Sequence, residues 1–106
     1  MRHPDFVAIK RLIPPRRLLG AVGWTPLTER SGEARGPCPI HSKGNKRSRV
    51  FAVSDRAWYC HKCKTGGDSI DLAAILYNLA ARDAAIRLCE IVGLELPTVD
   101  HATLFP

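Results

Sequence analysis

No apolar run in this 106-residue sequence approaches the roughly 20 residues needed to cross a bilayer. The opening stretch, MRHPDFVAIKRLIPPRR, has no continuous apolar segment and no small-residue cleavage site. No secretory signal is therefore expected, and the protein is expected in the cytoplasm, at the nucleoid. Internal repeats, low-complexity tracts and linker-like stretches are also lacking, which leaves one small domain over residues 1–106. Cysteine is sparse, at four residues. In a reducing compartment such closely spaced thiols point to metal or redox chemistry before structural disulfides.

Acidic residues are scarce in one place. Residues 43–64 carry Lys43, Lys46, Arg47, Arg49, Arg56, Lys62 and Lys64 against Asp55 alone, a local charge of +6. Residues 1–42 contribute +4 and residues 65–106 contribute −4, which gives the whole chain its net +6. The pI of about 9.6 lies in the range typical of nucleic-acid binders. A positive field therefore surrounds the middle of the chain and fades toward its C-terminus. A hydrophobic content of 45% argues for a folded chain.

Local patterns predict a small α+β fold. Phe6, Ile9 and Ile13 lie on one side of a helix that Pro14 and Pro15 end, and Pro15 suits the first turn of a second short helix, so helices span about 5–22. Residues 24–35 read as irregular or as a hairpin. SRVFAV and AWYC, separated by a short turn, form a hairpin. Gly66 and Gly67 mark a turn, and Asp68 caps a helix over about 69–80 with Leu72, Ile75, Leu76 and Leu79 at helical spacing. A last helix over about 82–92 puts Ala85, Leu88, Cys89 and Val92 on one face and stops at Gly93. Residues 97–106 read as a tail.

Cys38 and His41 are separated by two residues, as are Cys60 and Cys63. Such corners turn tightly and aim both donors at one ion. The 18 residues between His41 and Cys60 fall within the spacing of paired zinc knuckles, and they contain the predicted hairpin. Corner, hairpin and corner make a zinc ribbon with core residues about 30–67 and one structural Zn2+ held by Cys38, His41, Cys60 and Cys63. With four protein ligands such an ion has no vacant position for substrate, so it serves the fold rather than catalysis. Cys60 and Cys63 alone also match a thioredoxin-like redox pair, but no βαβ unit surrounds them. Cys89 reads as core, His61 as a surface or supporting residue, and His3 and His101 carry no evident role.

The stretches GPCPIH (36–41), FAV (51–53), WYCHKC (58–63) and GGDSIDL (66–72) resemble the zinc-binding domain of bacterial and phage DNA primases. The similarity runs over about 12–97 and includes Ser31-Gly32 and the ending Gly93-Leu94-Glu95-Leu96-Pro97. Three positions depart from that pattern. Arg49-Val50-Phe51 replaces Pro-Ser-Phe, Lys64 stands where glycine or another small residue is common, and Ala34 stands where an aromatic is common. The resemblance implies a module that contacts single-stranded template DNA and helps a primase choose where to begin, with a catalytic primase or helicase chain as possible partner. Lys46, Arg47, Arg49, Arg56, Lys62 and Lys64 are the candidates for phosphate, and Trp58 or Tyr59 for stacking on a base. Neighbours on a strand face opposite ways, so at most one of these two aromatics packs inward. The Gly-Gly-Asp turn could cradle a phosphate, but the acidic cap at Asp68 opposes it.

No acidic set for a catalytic metal is present. Asp68 and Asp71 read as a cap and a first-turn charge, so no polymerase activity is expected of this chain alone, and action in trans is expected. The alternatives are a zinc-ribbon adaptor, for protein interaction or transcription regulation, that uses the two C-terminal helices as its partner surface, and an enzyme subunit completed by another chain.

Overall fold

A computed structural model describes residues 2–40 and 47–100. The elements run β1 (Arg2–Pro4), α1 (Phe6–Leu12), α2 (Pro15–Ala21), β2 (Thr28–Arg30), β3 (Glu33–Gly36), β4 (Phe51–Val53), β5 (Trp58–Cys60), β6 (Thr65–Gly67), α3 (Ser69–Tyr77), α4 (Ala81–Val92) and β7 (Thr98–Asp100). Strands β2 to β6 form one antiparallel sheet in sequence order, each paired with the next. The small α+β architecture expected from the sequence is the one observed.

Local chemistry sets the boundaries. The Asp5 carboxylate accepts from the Ala8 N–H at 3.1 Å and starts α1. Pro15 opens α2. Ser31 and Gly32 both have positive φ, as a tight two-residue turn with right-handed strand twist requires, so β2 and β3 form a hairpin. Arg16 pairs with Glu29 of β2 and lies 3.9 Å from Asp55 in the β4–β5 turn, linking α2 to the sheet.

The inner face of the sheet and the four described helices share one core. Ile9, Ile13, Leu18, Leu19, Phe51, Val53, Trp58, Leu72 and Leu88 are all buried in it. Trp24 meets Phe51 edge-on at 5.7 Å, and Phe51 stacks on Trp58 at 5.6 Å. Each indole keeps a partner for its N–H: Trp24 donates to the Pro37 carbonyl at 2.7 Å and Trp58 to the Asp68 carbonyl at 2.8 Å. Cys89 is buried in α4, as expected, and burial pushes its thiol pKa up.

Four features differ from the sequence expectations. Gly66 and Gly67 belong to strand β6, and the turn before them is made by Lys64, whose φ is +55°. Helix α3 ends at Tyr77, where Asn78 adopts the left-handed conformation and closes the helix. Its buried face carries Ser69, Ile70, Leu72 and Ala73, while Ile75 points outward and is 42% exposed. Residues 98–100 are a strand rather than tail: β7 pairs with β1, and the Asp5 N–H donates to the Pro97 carbonyl at 2.8 Å.

Candidate metal centre and outer sheet face

Cys38 follows β3, Cys60 ends β5, and Cys63 lies in the turn that leads to β6. Their three sulfur atoms lie within 4.8 Å of one another. Cys38 and Cys60 are buried, whereas Cys63 is exposed. Both corners show the N–H to sulfur bonding that holds a thiolate in a tight turn. The Ile40 N–H meets Cys38 Sγ at 3.4 Å, and the Cys63 N–H meets Cys60 Sγ at 3.3 Å. His41 lies outside the described residues.

The turn after Cys60 is closed by the Lys64 N–H, which donates to the Cys60 carbonyl at 2.8 Å. The positive φ of Lys64 gives a physical reason for the glycine common at this position in the resembling family. Burial raises the pKa of the Cys60 thiol. The Cys63 backbone N–H and the Cys38 side chain outweigh that and hold it below its ordinary value. Cys63 moves the other way, first by desolvation and then through its bond to Cys60 and the charge there. One thiolate thus opposes the next, and a divalent cation removes that opposition. Three convergent thiols with this backbone support fit a structural zinc.

The Gly-Gly-Asp segment is explained by close approach. A Cβ on Gly66 would collide with the Trp58 carbonyl and come within 2.8 Å of Tyr59 Cδ1. A Cβ on Gly67 would lie 2.8 Å from Cγ of Asp71. Asp68 accepts from the Asp71 N–H at 2.9 Å, and Asp71 accepts from the Asp68 N–H at 3.0 Å, a reciprocal capping box. Both carboxylates are therefore engaged by the helix start, as cap and first-turn charge.

The outer face of the sheet follows from strand alternation. Ala34, Gly36, Phe51, Val53, Trp58 and Cys60 point inward. Arg35 pairs across to Ala52, Ala52 to Tyr59, and Tyr59 to Gly66, so these four form one row on the open side. Tyr59 is 41% exposed, whereas Trp58 is 2% exposed. Trp58 is thus withdrawn from the stacking candidates, because Phe51 and the Asp68 carbonyl hold it in the core. The ring of His61 meets Tyr59 edge-on at 5.0 Å, and its Nε2 lies 3.3 Å from Arg35 Nη2.

The basic candidates do not form one cluster. Arg47 and Arg49 precede β4, and Lys62 and Lys64 lie in the turn after β5. The pairing of Phe51 with Cys60 and the bond from the His61 N–H to the Val50 carbonyl bring these two segments to the same end of the hairpin. All four side chains are exposed. Arg56 sits at the opposite end, in the β4–β5 turn, beside a groove that also contains Lys10 and Arg11. Lys46 lies outside the described residues. Glu33 and Arg35 were not among the sequence candidates, although the alternation in Glu-Ala-Arg-Gly already put both on one face.

Comparison with known proteins gives a consistent picture. The CHC2 zinc finger family model matches residues 21–103. The DNA primase of Rickettsia bellii is 38% identical over 73 residues, which are 67% of this chain and 12% of that protein. The DNA primase of Treponema pallidum is 30% identical over 86 residues, 78% of this chain and 14% of that protein. The chain thus spans about an eighth of the length of these relatives. A crystal structure of the Aquifex aeolicus primase, containing its zinc-binding and RNA polymerase domains, shares the fold with a TM-score of 0.64. That match has 23% identity and covers 89% of this chain and 23% of the other.

Proposed function

The chain belongs to the CHC2 zinc-finger family found in DNA primases, and from that premise we propose that it grips unpaired template DNA at the start of primer synthesis. Zinc held by Cys38, Cys60 and Cys63, with His41 as fourth ligand, fixes the ends of the central strands. When bound it supplies rigidity rather than reaction chemistry. The chain's own residues do the binding. Tyr59 offers its ring to an unpaired base, while Arg35, Arg47, Arg49, Lys62 and Lys64 neutralise the phosphates on either side. Arg56 and Lys46 are further candidates for phosphate.

One observation carries this reading: an exposed tyrosine stands in a row of small and basic residues on a sheet whose other face is core. A flat face with one aromatic suits a single strand, whose bases are free to stack. A duplex hides those ring faces. Polymerisation is assigned to a separate catalytic domain or chain, with this module presenting template to it.

Fluorescence anisotropy with short single-stranded and duplex oligonucleotides tests the proposal. Tighter single-strand binding is expected, with log K falling against log salt by about 3.5 for the five phosphate contacts named above. No binding at about 50 mM salt would refute it. The adaptor reading is favoured by a different observation, an apolar cleft lined by Val22, Trp24, Pro39, Leu76 and Tyr77 with exposed Ile75 on the same helix as the last two. A chain that ignores DNA would shift weight to that cleft.

A further inference from the structure

Beside the Tyr59 ring, the outer sheet face dips into a shallow cavity of about 180 Å³. Ala52 and Ala57, the smallest side chains of the hairpin, leave this space, and Glu33, Ser54 and Tyr59 border it. Glu33 stands on β3 and Tyr59 on β5, with β4 between them. Two strand spacings separate them by roughly 10 Å across the sheet, and Glu33 stands two residues along β3 from Arg35, which shares the row of Tyr59, so a flat ring lying against the tyrosine reaches toward Glu33 on the diagonal.

The polar groups at this rim are not equivalent. Ser54 Oγ is spent on its own turn: it donates to the Ala57 carbonyl at 3.3 Å and accepts from the Arg56 and Ala57 N–H groups at 3.3 and 3.2 Å. The Glu33 carboxylate is held but not consumed. Arg35 Nε donates to its Oε1 at 2.9 Å, and each carboxylate oxygen has more than one lone-pair site. Arg35 also reaches His61, which rests on Tyr59, so a chain of contacts fixes the acceptor relative to the stacking ring. The ion pair with Arg35 leaves lone pairs on the Glu33 carboxylate that can accept from a base edge.

Building on the DNA-binding reading above, we infer that this cavity selects one unpaired base by its amino group, guanine first. Tyr59 is the stacking wall, and Glu33 accepts from the base. Guanine turns two adjacent donors, a ring N–H and an amino group, toward the two carboxylate oxygens. Cytosine and adenine offer one amino group beside an acceptor. Thymine has two carbonyls flanking a single N–H, and these repel the carboxylate. Among the described residues Arg35 is the one phosphate-track cation bonded to Glu33, and it positions the acceptor while the other cations act on the backbone, so base preference and overall affinity are largely separable.

The test uses a thymine oligonucleotide host carrying a single central guanine, cytosine or adenine, with the zinc-loaded chain and the Glu33→Gln variant, followed by anisotropy. Wild type is expected to bind the guanine oligonucleotide about fivefold or more tighter than the all-thymine host, with cytosine and adenine between them. Glu33→Gln removes a negative charge and one of the two acceptor oxygens, so affinity for the all-thymine host rises while the guanine advantage shrinks and the ranking flattens. Glu33 is an exposed side chain, and a thermal melt matching wild type verifies that the variant is folded. Equal binding of all four oligonucleotides by wild type would overturn the base-reading cavity and leave the DNA-binding reading standing. A ranking that survives in Glu33→Gln would overturn the role of Glu33. Failure of all four to bind would remove the DNA-binding reading itself.

Discussion

The two faces of the central sheet are built from the same short strands yet face different environments. Inward, Ala34, Phe51, Val53, Trp58 and Cys60 are almost completely removed from solvent. Outward, Glu33, Arg35, Ala52, Tyr59 and Gly66 alternate with them and leave a face of small, charged and aromatic groups. Tyr59 sits between Trp58 and Cys60, so a core anchor, an exposed ring and a metal ligand are consecutive in the chain. Period-two alternation thus lets these ten strand residues divide stability from recognition. If the division is real, substitutions on the inner face change folding, and those on the outer face change binding alone.

The metal is the strongest lever on the inner side. Small zinc domains gain roughly 10–16 kcal/mol of apparent binding free energy, comparable with the ~5–15 kcal/mol stability of a whole domain. Chelation, or Cys60→Ser, is expected to abolish cooperative melting of the ribbon by circular dichroism. One equivalent of zinc is expected by elemental analysis of the wild type. An unchanged melt after chelation would mean that the thiols do not hold a structural ion. Trp58→Ala comes next. It empties a site stacked on Phe51 and strands the Asp68 carbonyl, for an expected loss of about 3–5 kcal/mol in denaturant unfolding. At low temperature, the folded fraction should still bind DNA as wild type does.

The same contrast shows what could be read before any coordinates. The convergence of Cys38 with the Cys60–Cys63 pair, the Asp68 cap and the Gly93 stop follow from local rules, and the structure shows all three, while His41 lies outside the described residues. Strand β6 was hidden because two glycines read as a turn, whereas the Trp58 carbonyl and Tyr59 ring that require Gly66 come from the neighbouring strand and the Asp71 side chain that crowds Gly67 comes from the following helix. Strand β7 was hidden because its partner lies at the other end of the chain. Alternation said that at most one of Trp58 and Tyr59 packs inward, but only strand register decides which. Trp24 passed unnoticed as core because its partners, Phe51 and the Pro37 carbonyl, lie 27 and 13 positions away. Glu33 and Arg35 were missed because residues 24–35 read as irregular or as a hairpin, so their alternation was not assigned to a strand with one open face.

A smaller effect sharpens the boundary between the faces. Asp68 links sheet to helix: its carbonyl takes the Trp58 N–H and its carboxylate caps α3 and pairs with Lys10 at 3.1 Å. Desolvation raises its pKa, but the Asp71 N–H and the Lys10 ammonium outweigh this and hold it below the ordinary 3.8. A depressed folded-state pKa stabilises the fold fully above the unfolded value, and that contribution is lost as pH falls through the folded value. Asp68→Ala is expected to cost about 1 kcal/mol near neutral pH. Asp68→Asn keeps an N-cap but does not titrate. The stability difference between wild type and Asp68→Asn should therefore shrink as pH drops below about 4, and that difference cancels the thiols' own pH dependence. A constant difference across this range would mean the carboxylate charge contributes nothing.

The smallest expected effect on stability, from Tyr59→Ala, is the sharpest test of the division. Tyr59 covers Gly66 and touches His61, but it is 41% exposed, so its removal should change unfolding free energy by no more than about 0.5 kcal/mol. Stacking on one unpaired base is worth about 1–3 kcal/mol, so affinity for single strands should fall about five- to a hundredfold. Because no phosphate contact is lost, the salt dependence should keep its slope while the whole line drops. Tyr59→Phe keeps the ring and should restore most of the affinity. A steeper melt penalty than binding penalty would put Tyr59 with the core, and a changed salt slope would mean that the ring acts by arranging the cations around it. A parallel drop at unchanged stability is the outcome that separates a recognition face from a folding face within a single dipeptide.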